Sequence, residues 1–256
     1  MSQQVFGAGF IFITPKKDAF GNTLTNATPI NIGTVQDTSL DVDFETKELY
    51  GSNSQFALAK GRGKGKIALK ATSASFNGEM INALVFGQSL SSGLNAISYA
   101  TSGLVIPSTS PYTITVTPPN SGTFTGDLGV VYSNAVKLHK VDSNPSQGEY
   151  SVSNGVYTFN VADAGAKVLI NFKYSATSTG YVKQVVQSLK MGSTPYFSVD
   201  LMFTDMDNNT LTYTFYKCTS NKFSFSTKLD DFTMNNFEME AIADEFGNIC
   251  EYSLTK

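Results

Sequence analysis

Alternation of apolar and polar residues dominates the chain. Between Ile32 and Lys47, Leu40, Val42 and Phe44 are apolar while Asp37, Ser39, Asp41, Asp43 and Glu45 between them are polar. A period of two over that length predicts a half-buried strand. After a break at Glu48-Leu49-Tyr50-Gly51-Ser52-Asn53-Ser54, alternation resumes with Lys64, Lys66 and Lys70 on one side and Ile67 and Leu69 on the other. The two runs read as a long hairpin. One helical pattern follows over residues 78–86, with Met80, Ile81, Leu84 and Val85 on one face, Glu79 in the first turn and Gly87 just past the end. The first 31 residues, rich in Gly, Pro, Asn and Thr around an apolar knot at Phe10, Ile11, Phe12 and Ile13, read as an extended arm ordered on a neighbour.

Near residue 110 the texture changes. From Tyr112 to Tyr174, short alternating runs are separated by turn signals such as Ser133-Asn134, Ser153-Asn154-Gly155 and Asp163-Ala164-Gly165. Spacings of 8–12 residues between such turns suggest a small β-sandwich. Its exit, Ser175-Ala176-Thr177-Ser178-Thr179-Gly180, has linker composition. Long strands then return over residues 181–190, 196–204, 210–218, 222–231, 237–243 and 249–254. The expected architecture is all-β with one short helix: a discontinuous domain of residues 1–110 and 178–256 carrying an inserted sandwich of residues 111–177.

Composition narrows the function. Of 256 residues 41% are hydrophobic and only 15% charged, against about 25% charged in an average globular protein. The formal net charge of −3 excludes the basic footprint of a protein that grips nucleic acid through phosphates. A single histidine, His139, and two cysteines, Cys218 and Cys250, without a C-x-x-C pair do not build a zinc site. No secretory signal and no 18-residue apolar run are present, so the expected compartment is cytoplasmic and the cysteines reduced.

Three segments invite chemical readings that their spacing rejects. Gly61-Arg62-Gly63-Lys64-Gly65-Lys66 resembles a phosphate loop, but Ile67 stands where a P-loop has Ser or Thr, and a strand follows instead of a helix. Asp205-Met206-Asp207-Asn208-Asn209 opens like a calcium loop, yet Thr210 and Tyr216 occupy the positions that require Gly and Glu. No G-x-S-x-G surrounds any serine that might pair with His139. No catalytic residue, cofactor or metal is expected.

Three stretches taken together resemble the major tail tube protein of long-tailed bacteriophages. They are Gly33-Thr34-Val35-Gln36-Asp37 through Phe44 into Lys47-Glu48-Leu49-Tyr50-Gly51; Gly61 to Lys66 leading to Phe76-Asn77-Gly78-Glu79-Met80-Ile81-Asn82; and Phe223 to Phe232 ending in Ala243-Asp244-Glu245-Phe246-Gly247-Asn248. The middle segment, with Gly122-Thr123-Phe124, Asp127 to Tyr132 and Gly155 to Phe159, resembles the Ig-like insertion that some of these proteins carry on the tube exterior. The resemblance implies a non-enzymatic virion subunit, assembled in the host bacterial cytoplasm, that forms hexameric rings stacking into a hollow tube. It implies as partners other copies of the chain, tape measure, tail terminator and tail-tip proteins, and double-stranded DNA passing through the lumen without specific binding. There is no implied membrane insertion. Contractile-tail tubes and type VI secretion tubes share the ring-forming fold.

The residues themselves fit such a role. Lys47, Glu48, Leu49, Tyr50 and Gly51 form a loop with two apolar residues, suited to an inter-ring anchor. Asp37, Asp41, Asp43 and Glu45, and opposite them Lys64, Lys66 and Lys70, are candidate rows for a channel wall or a subunit contact. Ser, Thr and Asn replace charges over much of the surface, and they desolvate at lower cost in a subunit interface. The alternative reading is a carbohydrate-binding or adhesin sandwich, favoured by 12 Tyr and disfavoured by the absence of Trp.

Overall fold

The computed structural model describes residues 7–177, 180–205 and 209–254. Before the insertion come β1 (Phe10–Lys17), β2 (Ile30–Asn31), β3 (Val35–Leu49), β4 (Ala59–Ser73) and a helix α1 (Gly78–Ile81) that continues as one π turn over Asn82–Phe86. The insertion holds β5 (Ser91–Ser92), β6 (Leu94–Ser98), β7 (Leu104–Val105), β8 (Thr113–Thr115), β9 (Thr123–Tyr132), β10 (His139–Lys140), β11 (Glu149–Ser153), β12 (Val156–Phe159), β13 (Lys167–Ala176) and β14 (Val182–Lys183). After it run β15 (Tyr196–Thr204), β16 (Thr210–Lys228), β17 (Asp231–Ala241) and β18 (Cys250–Leu254). The fold is all-β with one short helix. Two compact units divide the chain: residues up to Leu90 join those from Gln184 onward, and Ser91–Lys183 forms the second. The first crossing therefore falls earlier than the expected residue 110, because β6 and β7 pair with β13 inside the inserted unit.

The outer unit is one sheet in the order β2-β1-β15-β16-β17-β4-β3, with β18 also on β16. Ile11, Ile13, Phe197, Val199, Leu201 and Phe215 project from one face of it and pack with Leu69, Phe237 and Met239. Met80 and Leu84 of the helix complete that core. Asn77 caps the helix, its side-chain oxygen accepting from the backbone N–H of Glu79 and Met80 at 2.9 and 3.4 Å. Gly87 ends it at φ 55°, in the left-handed region that a glycine adopts without strain. A side chain at Gly87 would also run into Pro195 and the Ala19 backbone.

Three sequence expectations change here. Phe10 to Ile13 do not form a free arm: they are β1, paired with β15 from Phe10–Met202 onward, with Ile11 and Ile13 fully buried. Residues 210–218 and 222–231, expected as two strands, form a single strand, β16, to Lys228. No residue of Thr219-Ser220-Asn221 takes a positive φ, and the ladder absorbs them as a bulge between Ser220 and Lys222. Residues 181–190 shrink to the two-residue β14. Beyond it the chain is held by Gln88, whose amide donates to the Gln187 carbonyl and accepts from its N–H, both at 2.9 Å.

The inserted unit is a sandwich of two four-stranded sheets. One has the order β10-β11-β12-β8, with β10 and β11 parallel; the other is β6-β13-β7 with β9 also on β13. Tyr150, Tyr157 and Phe159 meet Val130, Val168, Ile170 and Phe172 in its core. A bulge in β9 decides the polarity of this core. Between the pairs Val130–Ile170 and Asp127–Phe172, β9 carries one extra residue, and Gly129 takes φ 102°. Asp127 is thereby turned inward, its side chain 7% exposed, while Leu128 lies 42% exposed. The carboxylate accepts from Tyr150 Oη at 2.8 Å, Tyr157 Oη at 3.0 Å and the Gly129 N–H at 3.0 Å, and Lys140 Nζ lies 3.5 Å away. Burial, together with the adjacent carboxylate, pushes both phenols well above their ordinary pKa. Asp163, also buried, accepts from Tyr132 Oη at 2.7 Å and the Gly148 N–H at 3.0 Å. Burial first, and that bond second, lift Tyr132 to about 12.

Two predictions follow from these contacts. Asp127→Ala leaves two phenol hydroxyls without their acceptor, at about 1–3 kcal/mol each. The inserted unit should lose roughly 2–6 kcal/mol of stability in urea melts, and Asp127→Asn, which keeps an acceptor, should lose less. Ser92 and Val182 are paired directly, so their Cα atoms lie about 5 Å apart. Removing residues 93–181 and joining the ends through a Gly-Gly turn should leave a soluble outer unit with β-type circular dichroism and a cooperative thermal transition.

Candidate functional site

Four strands leave the body of the outer unit as a panel: β3, β4, β17 and the second half of β16. Neighbours are antiparallel throughout, from Val35–Ser73 to Leu49–Ala59, from Ile67–Ala241 to Ser73–Asn235, and from Cys218–Ala241 to Lys228–Asp231. Directly paired residues share a face, and successive residues alternate between faces. Leu40, Leu69 and Met239 thus form one cross-strand row, next to Thr38, Ala71, Phe237 and Phe223, and this face covers the core. The opposite face carries the rows Asp37-Thr72-Asn236-Ser224, Ser39-Lys70-Glu238-Lys222, Asp41-Ala68-Glu240-Thr219 and the pair Asp43-Lys66.

The acidic and basic rows anticipated from sequence therefore occupy one surface and interlock. Lys70 Nζ reaches Asp41 Oδ2 at 3.4 Å, Lys66 Nζ reaches Glu240 Oε2 at 3.3 Å, and Lys222 Nζ reaches Glu238 Oε1 at 2.8 Å. Asn221 Nδ2 donates to Glu240 Oε2 at 2.8 Å, and Thr72 Oγ1 donates to Asn236 Oδ1 at 2.9 Å. The bond from Lys222 chiefly holds the Glu238 carboxyl below its ordinary value, with Lys70 and Lys66 adding to it. Asp37, Asp43 and Glu45 have no ion-pair partner among the described residues. Lys64 sits where β4 gains one residue on β3, between the pairs Phe44–Gly65 and Thr46–Arg62. Past this bulge Arg62 lies over the Phe44 ring, 4.7 Å from its centroid.

The panel has two tips at opposite ends. At one, β4 runs eight residues and β3 seven beyond the level of the last β17 pair, Ile67–Ala241, roughly 25 Å at about 3.3 Å per residue. Lys47, Glu48, Leu49, Tyr50 and Gly51 lead into its loop. Glu48 accepts from Tyr50 Oη at 2.6 Å and pairs with Lys60 at 3.1 Å; these contacts lower its carboxyl pKa and raise that of the phenol. The Leu58 N–H donates to the Leu49 carbonyl at 2.7 Å, and Ser52 and Asn53 turn the chain at φ 48° and 58°. Phe56, 81% exposed, and Leu58 join Leu49 and Tyr50 at this tip. The loop expected from sequence ends at Gly51 and leaves them out, although the apolar run Phe56-Ala57-Leu58-Ala59 follows directly on the polar residues Ser52 to Gln55. At the other end, the β16–β17 turn exposes Leu229 almost completely, together with Phe232, and Phe225 meets the edge of Phe76 at 6.0 Å.

Both outer edges of the panel are open. β3 pairs with β4 alone, and β16 pairs with β15 only as far as Cys218, so residues 219–228 present an edge without a partner among the described residues.

The remaining chemical readings find no assembled site. His139 is exposed on β10, and among the described residues no side chain bonds its imidazole. Residues 61–66 are part of β4. Asp205 and Asn209 close a turn through backbone and side-chain bonds of 2.8–2.9 Å, while Met206, Asp207 and Asn208 lie outside the described residues, as do Ser178 and Thr179 of the expected linker. Among the described residues, no three His, Cys, Asp or Glu side chains are grouped to hold a metal, and no helix is long and apolar enough to cross a membrane. No protein-family model matches the chain, and no curated protein matches it.

The interlocked face makes a charge-swap prediction. Lys222→Glu sets like charges opposite one another, so its thermal midpoint at low salt should fall below wild type, and adding Glu238→Lys should restore it. The difference should shrink in 1 M NaCl, where the screening length is about 3 Å.

Proposed function

We propose that this chain is the repeating subunit of a hollow self-assembled tube, of the kind formed by the tail tube of a long-tailed bacteriophage. The observation that carries this reading is the panel with two open edges. Its four strands alternate in direction, so the β3 edge of one copy meets the β16 edge of the next in the antiparallel sense. Each copy then adds an even number of strands, and a ring closes without a parity break. Charge supports the same pairing. The β3 edge carries Asp37, Asp43 and Glu45, which have no ion-pair partner among the described residues, and the β16 edge carries Lys222 and Lys228, which pair with Glu238 and Asp231 of their own chain and remain more than half exposed.

In such a ring the core-covering face stays against each subunit's own body, and the face of interlocked charges becomes the wall. Six copies, the number implied by the resemblance, supply twenty-four strands. At about 4.8 Å between strands the circumference is roughly 115 Å, which leaves a lumen wider than a DNA duplex after side chains are added. A wall of hydroxyls and mutually paired charges, with carboxylates in slight excess, does not hold phosphates and lets the duplex slide. The role is structural, with no catalytic step.

Wild-type protein at rising concentration should form rings with a central hole, or tubes, by negative-stain microscopy. Asp37→Lys combined with Asp43→Lys should remain a folded monomer by sedimentation and circular dichroism. A wild-type chain that stays monomeric at every concentration and salt, or a double variant that assembles as well as wild type, would overturn the proposal.

A further inference from the structure

The two sheets of the inserted unit turn chemically different faces outward. Val168, Ile170, Phe172 and Tyr174 of β13 point into the sandwich core, so the residues between them face away from it. Directly paired residues share that outward face, which carries the rows Asn95-Ser175-Thr123, Ile97-Lys173-Gly126, Leu169-Val131-Lys137 and Val105-Lys167. Three lysines and no carboxylate stand in these rows. Lys137, Lys167 and Lys173 are exposed and have no ion-pair partner among the described residues. The outward residues of the other sheet are of another kind: Thr113, Thr115, Ser151 and Thr158 supply hydroxyls, and Glu149 lies across from His139. The inserted unit holds five lysines against four carboxylates, and two of the four, Asp127 and Asp163, are inside it. The charge left at its surface is positive.

We infer that this lysine face binds an anionic polysaccharide lying along β13. Lys167 and Lys173 are six residues apart on one strand, about 20 Å at 3.3 Å per residue, and Lys137 lies two strands from Leu169, about 10 Å to the side. Charges set that far apart suit a polymer whose acidic groups recur at intervals. They are too sparse for duplex DNA, which carries a charge about every 1.7 Å. Between the lysines the surface is made for sugar. Tyr99, two residues past Ile97, is 77% exposed, and its ring can pack on the C–H side of a pyranose while the hydroxyl stays in water. Asn171 Oδ1 accepts from the Ala100 N–H at 2.8 Å, which fixes the amide with Nδ2 as a donor. Asn95, Ser175 and Thr123 add a row of amide and hydroxyl groups at one end. Gly126 leaves bare backbone beside Lys173, where an added Cβ would meet only that lysine, at 3.9 Å. A flat array of strand side chains accepts an extended chain along its length; it does not sink about 5–10 Å into a headgroup layer as a membrane-binding helix does. The inference gives the inserted unit a ligand and is independent of the tube reading, which concerns the outer unit.

The test applies full-length protein, at about 0.15 M salt, to beads carrying hyaluronate or polygalacturonate, with dextran, polyphosphate and duplex DNA beads for comparison. Wild type should be retained on at least one of the two anionic polysaccharides and pass through neutral dextran. Lys167→Glu combined with Lys173→Glu should weaken that retention roughly tenfold or more, and Tyr99→Ala should weaken it several-fold, with both variants keeping the wild-type circular dichroism. Lys16→Glu combined with Lys190→Glu, the same change of net charge made at exposed positions of the outer unit, should bind as wild type. Passage of wild type through both anionic polysaccharides overturns the inference. So does retention on polyphosphate or DNA as strong as on either polysaccharide, or retention unchanged by Tyr99→Ala, since each leaves only a response to charge. Ring and tube formation is read separately by microscopy, and none of these outcomes alters it.

Discussion

The nineteen residues of β16 must find partners along both edges, and no neighbour is as long. β15 covers one edge as far as Cys218; β18 covers residues 211–215 of the other, and β17 takes over there from Cys218. The second half of β16 is thus anchored on one side only. Backbone N–H and C=O groups on its free edge are satisfied by water in the isolated chain and require another strand when water leaves. β3 meets the same limitation at the far side of the panel. Most of the outer unit follows from this mismatch: a body paired around Ile11, Ile13, Phe197 and Phe215, and a panel that continues past it with both of its outer edges open.

Two-faced alternation gives the panel its second property. Leu69, Phe237 and Met239 secure it to the core, while Lys66, Lys70, Glu238 and Glu240 on the reverse neutralise one another. Exposed pairs of this kind add little stability. What they supply is a surface with charge but without a strong field, which suits the proposed wall better than the continuous acidic row expected from β3 alone. The panel ends in an exposed apolar loop at each pole, Leu49, Tyr50, Phe56 and Leu58 at one and Leu229 and Phe232 at the other.

The inserted sandwich follows a separate logic. Its core depends on Asp127 and Asp163, buried carboxylates saturated by tyrosine hydroxyls and backbone amides, and its chain ends are brought side by side through Ser92 and Val182. A unit with its own core and adjacent termini can occupy a loop of another unit without adding strands to that unit's sheet.

Much of this was legible in the residues. The alternation of Leu40, Val42 and Phe44 with Asp41 and Asp43 specified β3, the Lys66–Lys70 run specified β4, and the spacing of Met80, Ile81, Leu84 and Val85 before Gly87 specified the helix. These are local properties, set by which side of a strand or helix each residue occupies. What the tertiary structure alone decided is pairing. It made Phe10–Lys17 an internal strand because Ile11 and Ile13 found β15, merged residues 210–228 because changing neighbours replaced a turn, and turned Asp127 inward past Leu128 through one extra residue in β9. It also placed the acidic and basic rows on one face and left two edges open. Sequence periodicity assigns a side chain to a face; the identity of the strand across from it is a long-range choice, made by the packing of the whole core.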